Sequence, residues 1–145
     1  MDEHGDLEIR IVSHPRYIGA IRLAIESAAR ALGADEQTCG ELALVVGEAL
    51  ANVIKHGYNH QTDHPIWVTG SPVEHKGRRC FQIVIEDESE GVDLDHIKSR
   101  PLEQLRPGGL GVHLIQCIMD EVDYSYRLSG VGVRLCMRKF IGTLD

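Results

Sequence analysis

The sequence predicts an α/β two-layer sandwich (α+β), in which helices pack on one face of a mostly antiparallel sheet. Two observations lead to this fold class. Segments of alternating apolar and polar residues, typical of half-buried strands, are interspersed with segments of helical apolar period. The resulting order is β-α-α-β-β-α-β-β, which favours helices against one sheet. At 145 residues, the chain has the size of one domain, 1–145.

The first half of the chain predicts one strand and two helices. Residues 7–12, LEIRIV, alternate as a half-buried strand does. We expect Ser13 to cap the helix that follows and Gly33 to end it. A second helix is predicted from about Asp35 through the stretch CGELALVVGEALANVIKH to Gly57, a residue suited to a helix C-terminus.

The second half predicts two more strands, a third helix and a closing hairpin. In order these are IWVTGSPV and RCFQIVIED around the turn EHKG, then the helix GVHLIQCIMDEV, then DYSYRL and VRLCMRKF around the turn SGVG. Residues 88–109, before the third helix, contain few apolar residues, three glycines and two prolines. A loop of this length in a compact domain is often functional, and it predicts a mobile lid at 88–109.

The composition argues against several classes of function. A net charge of −7 does not suit a general binder of nucleic acid or anionic membranes, since both need a basic face. The N-terminal MDEHGDLEIR has no signal-peptide pattern, and no apolar run approaches the ~20 residues of a membrane span. We expect a reduced, cytoplasmic protein whose four separated cysteines are mostly small core residues.

A row of polar side chains interrupts the predicted second helix. Glu48, Asn52 and His56 follow one another at intervals of four, which places them on one face of an α-helix. Glutamate and asparagine oxygens are ligands for a hard cation such as Mg²⁺. Taken alone, the row is more typical of a solvated stripe on an amphipathic helix.

Two glycine-containing stretches follow. In VIEDESEGVD an apolar strand ends at Asp87, whose carboxylate could accept a hydrogen bond from an exocyclic amino group, as on adenine, and Gly91 lies in the turn. In RPGGLGVHLI, Gly108, Gly109 and Gly111 open a helix, where backbone N–H groups and the helix dipole suit a phosphate. Each stretch also fits a plain alternative, an acidic turn or a flexible hinge.

The order and spacing of these three motifs resemble the GHKL (histidine kinase-like) ATPase superfamily, which has the Bergerat ATP-binding fold. The closest resemblance is to its stand-alone serine kinases and anti-sigma factors of the RsbW and SpoIIAB type, over nearly the whole chain. The first glycine box of that family commonly reads D-x-G-x-G. Here Ser89 stands at the first glycine, which leaves the shape of the adenine pocket open.

The resemblance implies roles for the motif residues. Glu48 corresponds to the general base toward the substrate hydroxyl, and Asn52 to the ligand of a Mg²⁺ ion that bridges the ATP phosphates. Asp87 corresponds to the reader of the adenine amino group, beside Gly91. His56 is expected to close the helix beside the nucleotide pocket. The expected phosphate contacts of the second glycine box are Arg106, Gly108, Gly109, Leu110, Gly111 and Val112.

The function implied by the resemblance is an ATP- and Mg²⁺-dependent protein serine/threonine kinase that acts as an anti-sigma factor. Its substrate would be a STAS-domain anti-anti-sigma protein in a partner-switching pathway. A sigma factor or another effector would be the competing partner, and the protein would be a bacterial homodimer without direct contact to nucleic acid or membrane.

Two alternatives belong to other classes. A non-catalytic nucleotide-binding module could sequester a sigma factor or another regulatory partner, but nucleotide binding alone needs no base at Glu48. The ATP-binding half of a sensor histidine kinase is disfavoured, because no helix pair with a phospho-accepting histidine is predicted. A GHKL ATPase of the chaperone or repair type would likewise need further domains.

Two further patterns suggest chemistry that we do not expect. His56, His60 and His64 have metal-ligand spacing, but Gly57 ends the predicted helix between them, which disfavours zinc. Cys117 is expected in the core, since no base for a nucleophile is evident in the sequence.

Overall fold

The computed structural model describes residues 5–94 and 110–143, which form a five-stranded sheet and three α-helices. The strands are β1 (Leu7–Val12), β2 (Pro65–His75), β3 (Arg78–Asp87), β4 (Glu121–Tyr126) and β5 (Val133–Thr143). The helices are α1 (Ile18–Ala31), α2 (Glu36–Asn52) and α3 (Leu110–Ile118). The predicted order of elements is therefore confirmed.

All described strand pairs are antiparallel, and their order across the sheet is β1-β2-β3-β5-β4. The predicted fold class, an α+β sandwich with an antiparallel sheet, is confirmed. In the register of β2 with β3, Ile66 lies opposite Asp87. Asp87 is thus held at the end of the sheet, next to the start of β2.

The core lies between the helices and one face of the sheet. Alternate residues of β3 (Phe81, Ile83 and Ile85) are almost fully buried, as are Leu42 and Leu50 of α2. Each such side chain contributes about 1.5–3 kcal/mol through burial. This packing holds α2 rigidly against the sheet and so positions its polar residues.

Helix α2 begins as predicted, and the turn that follows it has π geometry. The Asp35 carboxylate accepts a hydrogen bond from the Thr38 N–H at 2.7 Å, which caps the helix start. The α-helix ends at Asn52, and Val53–Gly57 form a π-helical turn. The predicted helix therefore extends to Gly57 as expected, but its last turn is π-helical, because one turn of apolar pattern does not distinguish α from π geometry.

Helix α3 ends earlier than predicted. It was expected to continue to Val122, but it ends at Ile118, and β4 begins at Glu121. Lys139 of β5 donates to the Ile118 carbonyl at 2.8 Å. The Asp120 N–H donates to the Arg138 carbonyl at 3.0 Å, so pairing with β5 ends the helix.

Ser13 does not cap the first helix, contrary to prediction. The His14 imidazole instead accepts from the Arg16 N–H at 3.1 Å and caps a short 3₁₀ turn. The fully buried Ser13 hydroxyl donates to the Gln61 carbonyl and accepts from the His64 N–H at 3.1 Å. It therefore connects the end of β1 to the loop before β2.

Candidate functional site: a nucleotide site

Glu48 and Asn52 form the first part of the site. Both lie in the α-helical part of α2, one turn apart, and therefore on the same face. Both are half-buried, and the Glu48 carboxylate has no hydrogen bond or ion pair within the described residues. His56 lies in the π-helical turn and is exposed, so the four-residue row keeps α-helical geometry only as far as Asn52.

The Asn52 side chain carries a buried polar atom with no partner. Its amide nitrogen is shielded from solvent and makes no hydrogen bond within the part of the chain that the structure describes. Leaving a buried donor unpaired costs about 1–3 kcal/mol. Such a group in a native structure calls for an explanation, and a ligand that accepts its hydrogen bond supplies one.

Asp87 forms the second part of the site, and it is held by hydrogen bonds. The residue is 4% exposed. Its Oδ1 accepts from the Ser89 backbone N–H at 2.8 Å and from the Ser89 hydroxyl at 2.5 Å. Burial raises the pKa of Asp87, while the Ser89 hydrogen bonds, the Val133 N–H and the Arg127 charge act in the opposite direction.

Two glycines let other elements approach this strand end. Gly132, in the turn between β4 and β5, has a φ of +98°, and a Cβ there would lie 1.8 Å from the Asp87 carbonyl oxygen. A Cβ on Gly57 would lie 3.2 Å from the Ser89 Cβ. The π-helical turn after Asn52 and the β4–β5 turn therefore both close on residues 87–89.

Tyr58 makes a third connection to the same segment. Its buried hydroxyl accepts from the Glu88 N–H at 2.6 Å and donates to the Pro65 carbonyl at 2.6 Å. Burial raises the pKa of Tyr58 to about 12. The ring stacks on His64 with centroids 4.8 Å apart. The hydroxyl thus joins the end of the helix to the strand end that carries Asp87.

The sequence reasoning did not identify Tyr58 or Gly132 as site residues. The turn SGVG indicated that Gly132 lies in a hairpin, but nothing in it indicated a contact with Asp87. Tyr58 and Glu88 are 30 positions apart, and no local pattern relates them. Only the tertiary packing pairs these groups.

The second glycine stretch lies largely beyond what the structure describes. Arg106, Gly108 and Gly109 fall outside the described residues, as does the 95–109 part of the predicted lid. Within the described part, residues 110–112 open α3 as predicted, and Gly91 has a φ of +73° in the bend after Asp87.

The structure also describes the residues of the two patterns set aside in the sequence. No three His, Cys, Asp or Glu side chains among the described residues form a group that could hold a metal ion. Cys117 is exposed, so its expected place in the core is wrong. It lies on the solvent side of α3 with its Sγ 3.5 Å from His113 Nε2, an i, i+4 pair that sequence reasoning overlooked. The other three cysteines are buried, as expected.

Comparison with known proteins identifies the class of this protein. Residues 11–139 match the histidine kinase-like ATPase domain family, and the chain belongs to that family. Membership indicates ATP binding. The resemblance seen in the sequence is thereby confirmed.

Two similar proteins are both named serine-protein kinase RsbW. The chain is 30% identical to serine-protein kinase RsbW of Oceanobacillus iheyensis, over 97% of this chain and 90% of that protein. It is 26% identical to serine-protein kinase RsbW of Bacillus subtilis, over 93% of this chain and 85% of that protein.

Two solved structures share the fold. One is the SiaB–SiaC complex of Pseudomonas aeruginosa, with a TM-score of 0.58 and 19% identity over 94% of this chain and 90% of that chain. The other is a blue-light activated histidine kinase of Erythrobacter litoralis, with a TM-score of 0.54 and 18% identity. The match covers 86% of this chain and 42% of the histidine kinase.

Proposed function

We propose that this protein is an ATP- and Mg²⁺-dependent serine kinase that acts as an anti-sigma factor in a partner-switching pathway. Its relatives are named serine-protein kinases, and one is 30% identical over nearly the whole chain. The observation that carries the proposal is on α2. An unpaired buried amide at Asn52 lies one turn from an unpaired carboxylate at Glu48.

The residues on α2 fit a metal-bound nucleotide. The Asn52 amide offers both kinds of group that such a ligand needs, since its oxygen would hold Mg²⁺ and its unpaired N–H₂ group can donate to a phosphate oxygen. A bound Mg²⁺ neutralises charge on the phosphates during phosphoryl transfer. Glu48 would accept the proton of the substrate serine at a carboxylate oxygen that no other group occupies.

The residues at the end of β3 fit the base of the nucleotide. The buried Asp87 carboxylate would accept a hydrogen bond from the adenine amino group, and Gly91 would border the same pocket. We further propose that Arg106 and residues 108–112 contact the phosphates and that residues 88–109 form a lid over them. The single ATPase domain would then span residues 1–145.

The proposed partners follow from the kinase role. The substrate would be a STAS-domain anti-anti-sigma protein, phosphorylated on serine or threonine, and a sigma factor or another effector would compete with it. The protein would act as a homodimer in the cytoplasm. Among the described residues, no helix is both long and apolar enough to span a membrane.

Two substitutions on α2 test the division of roles. Glu48→Gln should lower the rate of phosphate transfer about 10²–10⁴-fold while ATP affinity stays within a factor of about two, because a base acts in the transition state. Asn52→Ala should weaken Mg²⁺–ATP binding and transfer together. The measurements are transfer from radiolabelled ATP to a purified STAS partner, and calorimetry with Mg²⁺–ATP.

Glu41→Gln is the matched control, because Glu41 is also half-buried and lies two turns earlier on the same helix. It should transfer phosphate at the wild-type rate. If Glu48→Gln transfers phosphate at the wild-type rate, Glu48 is not the catalytic base. A wild-type protein that binds ATP and the partner but transfers no phosphate would establish the sequestering module instead.

A further inference from the structure

We infer that Ser89 is a positioning residue that orients Asp87 for the adenine amino group and thereby favours ATP over GTP. The inference rests on the proposed nucleotide-binding function. It concerns the position at which this sequence carries serine in place of the first glycine of the box.

The geometry around Asp87 leaves one carboxylate oxygen for a ligand. A carboxylate has about four acceptor positions, two on each oxygen. The backbone N–H and the hydroxyl of Ser89 both donate to Oδ1, at 2.8 Å and 2.5 Å, and together they fill it. The Val133 N–H also donates to the carboxylate. The position that remains for a further donor, such as an exocyclic amino group, is therefore on Oδ2.

The surroundings of Ser89 hold its hydroxyl in place. The residue is 5% exposed, so the hydroxyl has little access to competing water. It is not among the residues with positive φ, so a side chain here requires no strained backbone. Gly57 leaves the space that the serine needs, since a Cβ on Gly57 would come within 3.3 Å of the Ser89 Oγ. The close approach of Gly57 thus restricts the hydroxyl on one side, and its hydrogen bond to Asp87 holds it on the other.

An ionised Asp87 is a stronger acceptor for the adenine amino group than a neutral one. Burial raises the pKa of Asp87, and the Ser89 hydrogen bonds act against that rise. The other charged or titratable groups facing it are Arg127 from the β4–β5 hairpin, Tyr58 from the helix end and Glu88 beside it. Removing the hydroxyl removes one interaction that favours the ionised form, so ATP binding should be lost at a higher pH as the solution is acidified.

The test compares nucleotide binding in hydroxyl-lacking and hydroxyl-retaining variants. In Ser89→Ala, calorimetry should show Mg²⁺–ATP bound about tenfold more weakly, the effect of losing one hydrogen bond to a charged group, with GTP affinity nearly unchanged. The pH midpoint for ATP binding should also move upward. Ser89→Thr, which keeps the hydroxyl, should restore the ATP preference and the wild-type midpoint.

Ser71→Ala is the control for losing a serine hydroxyl elsewhere in the sheet. Ser71 lies on β2, five positions beyond Ile66, and accepts from the Asp6 N–H at 3.2 Å. It should leave both nucleotide affinities and the pH midpoint unchanged. Ser89→Gly also removes the hydroxyl without adding volume, and it replaces the alanine variant should that variant fail to fold.

The outcomes separate this inference from the proposed function. A folded Ser89→Ala or Ser89→Gly variant with the wild-type ATP-to-GTP ratio and pH midpoint overturns the role of Ser89. Equal weakening of both nucleotides also overturns it, since that is the result of a general structural loss. A wild-type protein that binds no ATP overturns the nucleotide-binding function itself.

Discussion

The α2 face and the end of β3 are two polar regions of the proposed site, and they differ in how many of their polar groups have hydrogen-bond partners. On α2, the Asn52 amide nitrogen and the Glu48 carboxylate have no partners within the described residues. At the end of β3, Asp87 accepts two hydrogen bonds from Ser89, and Tyr58 holds the next backbone N–H. The first region has groups available to a ligand, and the second is organised before any ligand binds.

This difference matches what each region would do in a kinase. Groups that meet phosphate, metal and an incoming hydroxyl must exchange partners during each turnover, so fixed intramolecular hydrogen bonds would compete with function. A group that reads a base gains from being held in one orientation, because less conformational freedom is lost on binding. Substitutions in the two regions should therefore separate stability from activity.

Gly132→Ala should have the largest effect on the organised region. The new Cβ would meet the Asp87 carbonyl oxygen at 1.8 Å, and the φ of +98° disfavours any side chain. We expect the free energy of unfolding to fall by about 3 kcal/mol or more, and ATP binding to weaken as the strand end moves. Chemical denaturation and calorimetry would measure the two losses.

Gly130→Ala is the matched control for this substitution. Gly130 lies in the same turn with a φ of +85°, but a Cβ there would meet nothing within 4 Å. It should lose only about 1–2 kcal/mol from the backbone conformation and retain ATP binding. If both variants lose the same stability and the same ATP affinity, the close approach of Gly132 to Asp87 does not contribute to ATP binding.

Tyr58→Phe should have an intermediate effect. It removes the hydroxyl that bridges the Glu88 N–H and the Pro65 carbonyl. We expect the free energy of unfolding to fall by about 1–3 kcal/mol. Because Glu88 follows Asp87 directly, the KM for ATP should rise more than kcat falls. Denaturation and steady-state kinetics would measure these changes.

Tyr124→Phe supplies the comparison for Tyr58. The pKa of Tyr124 is also raised to about 12 by burial, but its hydroxyl has no hydrogen bond within the described residues. It should change neither stability nor KM appreciably. If Tyr58→Phe behaves like Tyr124→Phe, the hydroxyl does not hold the adenine side of the site.

Asn52→Ala should have the smallest effect on stability, and in the opposite direction. It removes a buried donor without a partner and places a better helix former at the end of α2. We expect the free energy of unfolding to rise by about 0.5–1 kcal/mol while nucleotide binding is lost. A loss of more than about 1 kcal/mol would mean that the amide supports the fold rather than the ligand.

Much of the fold followed from local pattern. Alternation in LEIRIV predicted β1, because a half-buried strand has a period of two, and the apolar residues of RCFQIVIED predicted β3. Asp35 was correctly placed at the start of α2, since its side chain needs only the backbone three residues ahead. The spacing of Glu48, Asn52 and Asp87 was sufficient to suggest nucleotide chemistry and the family.

Other features depended on contacts between distant parts of the chain. The turn after Asn52 is π-helical rather than α-helical, Ser13 binds a loop rather than a helix end, and Cys117 lies at the surface. Local pattern did not distinguish these outcomes, because each is decided by what packs against the segment.

By itself, the sequence determined the order of helices and strands and suggested the motif residues of the proposed site, because these depend on neighbours within a few positions. Only the tertiary structure decided which groups at the site are satisfied and which are unpaired. The Tyr58–Glu88 hydrogen bond and the approach of Gly132 to Asp87 join segments far apart in the chain. Such contacts arise from the packing of the whole sheet against its helices, and no local spacing encodes them.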